Sequence, residues 1–219
     1  MRVQTITSQA WWIALADEIR PEGGLDAVAT FAALKEKFGF PIIPTGPAQP
    51  GGGMDFVNGA MRSGVTSINI GKISVFGDGL SIEVPSTTEN AEIVLQETLR
   101  VFYSFGVREP ATPPLHYYLS TIVVDFEHSL NNLIPGQLLK QVEKAIPVEA
   151  DAQFAGIYIN ADKTTLRGRL GPVNPTLFNI HRRLEIPYDV NRYFSQANMR
   201  TADHLELLAE FEQLAAKAM

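Results

Sequence analysis

The period of the hydrophobic positions changes several times along this chain, and each change marks an element. Ala27, Phe31, Leu34 and Phe38 recur at four, three and four residues, the spacing that stacks side chains along one helical stripe; Asp26 opens this helix and Gly39 stops it. A second stripe, Ala91, Leu95, Leu99 and Phe102, follows Ser86-Thr87-Thr88-Glu89, a match to the capping box in which serine and glutamate side chains satisfy backbone amides at a helix start. Ile93, Val94, Val101 and Phe105 widen that stripe, so the helix should be covered on more than one side before Gly106 ends it. Residues 137–146 align Leu138, Val142 and Ala145 or Ile146, closed by Pro147. A last helix starts at Thr201, with Asp203 near its positive end, and points Leu205, Leu208, Phe211 and Leu214 or Ala215 inward.

Period-two stretches lie between these helices. Residues 55–61, 65–70 and 72–84 read as strands, the last folding back at Asp78-Gly79, a pair suited to a tight turn with both central residues at positive φ. Ile73 and Val75 before that turn, and Leu80, Ile82 and Val84 after it, alternate with polar neighbours. Residues 116–127 show little polar alternation and predict a strand central in its sheet. Residues 153–160, 164–170 and 176–186 predict an antiparallel meander, followed by an irregular stretch over 187–200. At the amino end residues 2–7 read as a short strand. Ser8 then caps a helix that gathers Trp12, Leu15, Ala16 and Ile19 until Pro21 stops it. Residues 40–53 hold four prolines and four glycines and predict a long loop.

Strands joined by hairpins, with helices between groups of strands, give an α+β class: antiparallel hairpin and meander sheets covered by about five helices. No sequence repeat and no Ser/Gly linker is visible, so we read one domain, residues 1–219, with lobes at 1–109 and 110–219.

Composition narrows the chemistry. The chain has 219 residues, 45% hydrophobic and 19% charged, an ordinary globular balance. It has no cysteine, which removes disulfides, thiolate catalysis and sulfur-ligated zinc, and suits a reducing compartment. The early apolar run at 11–16 ends at Asp17 and Glu18, far short of a membrane span, and a cytoplasmic location is expected. A net charge of -6 and a pI near 5.2 disfavour nucleic acid as a general partner.

Catalytic motifs are missing. Gly51-Gly52-Gly53 lacks both the GxGxxG frame and the following lysine of a phosphate loop, and neither GxSxG nor HExxH occurs. The histidines, His116, His128, His181 and His204, stand apart in sequence, so no motif calls for a metal or cofactor. The densest cluster is Asp125, Glu127 and His128, where alternate strand positions share a face. It could hold a divalent ion or act as acid and base, although a polar strand exit is the plainer reading.

A basic island covers residues 160–200. Arg167 and Arg169 share one strand face, and Asn179, His181, Arg183 and Glu185 share one on the next strand, while Phe178, Ile180 and Leu184 point away. Paired strands would make Arg167, Arg169, His181 and Arg183 a site for phosphate or carboxylate, against the plainer reading of a solvated face. Trp11 and Trp12 diverge by about 100° on a helix, so one packs inward and the other meets a second surface or a partner. Missing motifs, doubled aromatics and the long loop point to a non-catalytic interaction or assembly protein with a homo-oligomeric or protein partner. The alternatives are an anion-binding module on the arginine face and a metal-dependent enzyme at Asp125, Glu127 and His128.

Overall fold

A computed structural model describes residues 1–47, 52–64, 66–145, 155–160, 176–183, 186–187 and 190–218. Its elements are β1 (Arg2–Ile13), α1 (Ala16–Ile19), α2 (Ala27–Phe38), β2 (Met54–Ser63), β3 (Thr66–Val75), β4 (Gly79–Val84), α3 (Thr88–Ser104), β5 (Leu115–Asp125), α4 (Gly136–Ala145), β6 (Gly156–Asn160), β7 (Thr176–Arg182), β8 (Arg192–Ala197) and α5 (Thr201–Lys217). Among the described residues eight strands form one sheet in the order β2-β3-β4-β1-β5-β8-β7-β6, and with the five helices described the class is α+β. β5 lies inside the sheet, as its weak polar alternation predicts. Among the described residues no helix is long and apolar enough to cross a membrane.

The chain makes the same run of elements twice. A strand, a helical segment, three strands and a helix recur as β1, α1–α2, β2, β3, β4, α3 and as β5, α4, β6, β7, β8, α5. Within each run the first strand pairs with the fourth, the fourth with the third and the third with the second. The repeat lies in the topology; no sequence repeat announces it. Contacts group the chain into two compact units, one of residues 7–120 with 199–201, the other of residues 1–6, 121–198 and 202–219. They are taken in turn.

In the first unit β4 sends Leu80, Ile82 and Val84 into a core shared with Phe31, Leu34 and Phe38 of α2 and Ala91, Leu95 and Leu99 of α3. Asp26 accepts a bond from the Ala29 amide at 3.0 Å, and Gly39 takes the left-handed conformation that ends α2. Phe40, the first residue of the proline-rich stretch, is buried beside Phe38 and Phe56, so the described part of the long loop is anchored at its start.

Three expectations are corrected in this unit. The helix predicted from Ser8 is a strand: β1 continues through both tryptophans to Ile13 and pairs with β4 from Ser8 with Val84 to Ile13 with Gly79. Ser8, Ala10 and Trp12 are buried and their neighbours half-buried, a period-two pattern that long-range pairing selects over the helical stripe sharing Trp12. Only the short α1 remains of that helix. The β3–β4 hairpin forms, but neither Asp78 nor Gly79 has positive φ, and the closing bond runs from the Phe76 amide to the Gly79 carbonyl. Gly79 is needed for a different reason: a Cβ there would lie 2.3 Å from the Trp12 carbonyl oxygen.

The capping box at Ser86 does not form either. Thr87 occupies the cap position of α3 without a side-chain bond. The start of α3 is satisfied from elsewhere: the Thr88 amide donates to Thr201 Oγ1 at 2.9 Å, and the Thr201 amide donates to Thr88 Oγ1 at 2.8 Å. Thr201 Oγ1 also lies 3.2 Å from Ser8 Oγ and 3.4 Å from Ser120 Oγ, all of them buried. A buried amide stripped of its acceptor costs about 1–3 kcal/mol. Thr201→Val, which keeps the shape and removes the hydroxyl, is therefore expected to lower unfolding stability by that amount in urea titration, with Thr201→Ser closer to the parent.

In the second unit β6 pairs directly with β7 and β7 with β8, all antiparallel, so this ladder is made of other strands than the expected meander; Phe178 lies opposite Ala197 and Ile180 opposite Ser195. The predicted strand at 164–170 lies outside the described residues. β8 corrects the irregular reading of 187–200. Its buried positions are Tyr193, Ser195 and Ala197, and small or polar side chains at inward positions hid the alternation. α5 buries His204, Leu208 and Ala215, and Phe211 stacks on Phe178 at 5.4 Å. Of the two offered positions Ala215 is inward and Leu214 exposed.

Candidate functional site

The arginine face is only partly described. Arg167 and Arg169 fall outside the described residues, whereas His181 and Arg183 are half-buried at the end of β7. As alternation predicts, Phe178 and Ile180 are core and His181 points to the other face, where Tyr158 stacks on it at 6.3 Å and Phe194 lies 5.0 Å away. The buried arginine is their neighbour Arg182, whose parity with Phe178 and Ile180 could have shown it. Its guanidinium donates to the Tyr193 hydroxyl at 3.3 Å and the Val190 carbonyl at 3.4 Å, and sits 5.7 Å from the Tyr193 ring. Strand geometry thus makes the described part of this surface an aromatic row, Tyr158, His181 and Phe194.

Asp125 is committed to a partner. Arg192 donates to it through Nε at 2.6 Å and a terminal nitrogen at 2.9 Å, a bidentate pair, and Gln4 donates to the same carboxylate at 2.6 Å. The hydrogen bond from Arg192 holds the carboxyl below its ordinary range against the opposing effect of burial. Glu127 is 81% exposed, and no group of three acidic or histidine side chains among the described residues is arranged to hold a metal ion. The cluster proposed from sequence is therefore not assembled as a ligand set.

The tryptophans separate onto opposite faces of β1. Trp12 is core, and Trp11 stacks between Phe76 at 6.0 Å and Tyr117 at 5.7 Å, with its indole N–H donated to Gln9 at 3.0 Å. Burial pushes the Tyr117 hydroxyl up to about 12, so that phenol stays neutral at any physiological pH.

A polar cluster escaped the sequence reading because its members lie on three elements. Glu92 of α3 accepts from His116 Nε2 at 2.9 Å and from the Tyr118 hydroxyl at 3.1 Å, and Arg200 donates to that hydroxyl at 3.0 Å while lying over the ring. Burial first, then Glu92, raises the Tyr118 pKa. These groups satisfy one another.

An exposed apolar surface belongs to the second unit. Among the described residues β6 is the last strand of the sheet; it reads Gly-Ile-Tyr-Ile-Asn without charge or proline, and exposes Tyr158 at 62% and Ile159 at 49% on opposite faces. In the same unit α4 carries Leu138 and Val142, one turn apart, at 50% and 44% exposure. The strand at the other end of the sheet is protected. β2 bears Asp55 and Arg62, and Asn58 in its middle has φ of 60° while the register with β3 is the same on both sides of it.

No protein-family model matches this chain, and no curated protein matches it.

The signal for β6 was present in sequence as a short uncharged strand. That it ends a sheet was not, because strand order depends on which strand pairs with β8.

Proposed function

We propose that this chain is a non-catalytic assembly protein that associates with a second copy of itself through the β6 edge. The observation that supports the reading is that β6, uncharged and apolar, ends the sheet among the described residues, whereas the strand at the other end carries Asp55 and Arg62. An edge of this kind recruits another strand, because each new backbone hydrogen bond replaces one to water while Tyr158 and Ile159 leave water with it. A second copy suits it on electrostatic grounds. Each chain carries a net charge of -6, so copies repel except where acidic groups are absent, and β6 has none. Two β6 strands meeting antiparallel around a twofold axis present the same five residues to each other.

Sedimentation equilibrium of the whole chain across a wide concentration range tests this. The expected result is a dimer that Ile159→Lys converts to monomer with an unchanged circular dichroism spectrum, while Val57→Lys on β2 leaves the dimer intact. A parent chain that stays monomeric at the highest concentration, or a dimer indifferent to Ile159→Lys, overturns the reading.

A further inference from the structure

The first unit contains a cavity of about 260 Å³ between the β3–β4 hairpin, α1 and the end of α3. Its walls are apolar and include Trp12, Ile19, Leu25, Leu80, Phe102 and Val107. Among the described residues Arg20 is the only charged one in that lining. It is exposed, and nearby Glu18 accepts from the Thr112 amide and hydroxyl while Arg108 donates to the Asp17 carbonyl.

We propose that this cavity is a binding site for a small aliphatic carboxylate, its chain in the cavity and its carboxylate on Arg20. Size and charge decide the class together. An apolar cavity of about 150 Å³ takes up benzene, so the space here holds about eight to ten carbons. That is below the volume of a drug-sized site and excludes nucleotides and other large polar ligands. A neutral hydrocarbon would leave the guanidinium unused, whereas a carboxylate at the mouth meets a planar donor matched to its two oxygens. A single cation set against apolar walls favours one acid group over a polyanion. The glycines at the border, Gly24 and Gly77, would bring no side chain into contact with neighbouring atoms, which leaves the mouth open. The site lies in the unit that does not contain β6, so it stands or falls apart from self-association.

Trp12 in the wall supplies the readout, and Trp11→Phe makes it the sole tryptophan. Titrating that variant with decanoate is expected to change the Trp12 emission saturably with one site per chain, confirmed on the parent chain by calorimetry. Decanol, equal in chain length but neutral, is expected to bind about tenfold more weakly. Arg20→Gln should weaken decanoate by about tenfold and leave decanol unchanged. Val107→Trp, which adds bulk to the cavity lining, should abolish both in calorimetry, its fold checked by circular dichroism. Absence of saturable decanoate binding, equal binding of acid and alcohol, or decanoate affinity untouched by either substitution would overturn the proposal. Should Val107→Trp fail to fold, the Arg20→Gln comparison between acid and alcohol still decides it.

Discussion

Phe56→Ala is expected to cost about 3–5 kcal/mol of unfolding free energy, the range for a large buried aromatic truncated where its surroundings cannot collapse. Phe56 is fully buried in β2, with the Phe31 ring 5.2 Å away edge-on, the Phe40 ring 5.4 Å away and Ile73 directly opposite on β3. The rings come from α2, the stretch after it and the strand they cover, so removing the middle one opens a void that no single side chain can fill. Gly59 fixes the surroundings further. A Cβ there would meet the Phe40 ring at 2.4 Å, so the ring already rests against β2 backbone and has little room to shift. Since whole domains are stable by only about 5–15 kcal/mol, Phe56→Ala removes a large share. Urea unfolding followed by circular dichroism measures it, and Phe56→Leu, which leaves less empty volume, should lose less than half as much. An alanine variant within about 1 kcal/mol of the parent would mean that this cluster is not the packed centre of its unit.

The second large effect is a loss of stability in mild acid. His204 is fully buried on α5, with Nε2 2.8 Å from Ser195 Oγ, and that hydroxyl donates its proton to the Asn179 carbonyl at 2.7 Å. Because the serine proton is taken, Nε2 must carry the donor hydrogen of this contact. Burial lowers the His204 pKa to about 4. The folded value lies below the unfolded one of about 6.5, so acid favours the unfolded chain. Stability is therefore full above about pH 6.5 and falls as pH drops toward 4, with about 2 kcal/mol gone by pH 5. Asp125 does not blur this window. Arg192 lowers its pKa, so its contribution is lost only at more acid pH. Urea midpoints at pH 7.5 and pH 5 read the effect, and His204→Gln should flatten the difference even if it is less stable at both. Equal midpoints for the parent chain would show that His204 is reached by water.

Helices with a clear stripe were legible from residue order, because a helix satisfies its own backbone bonds within the segment. α2, with Asp26 and Gly39 at its ends, and α5, with Leu208 and Ala215 inward, follow from spacing. The β3–β4 hairpin was legible for the same local reason, although its turn geometry was not. β1 and β8 were not legible. A strand finds its bonds on distant partners, and the Trp12 stripe fits a helix as well as a strand until β4 is placed beside it. The start of α3 failed likewise, since its amide is bonded by a threonine far along the chain, in preference to the serine nearby.

The candidate sites divide in the same way. Parity along β7 was enough to separate His181 from Phe178 and Ile180, but the capture of Asp125 by Arg192 and the stacking of Trp11 between Phe76 and Tyr117 needed neighbouring strands in place. Residue order by itself determined the α+β class, the cysteine-free acidic composition and the helices whose faces are written in their own spacing. Tertiary structure decided which strand is left at the edge, which cation faces a cavity and which polar groups find each other. Those outcomes depend on pairings between residues far apart in the chain, where sequence spacing carries no information about distance.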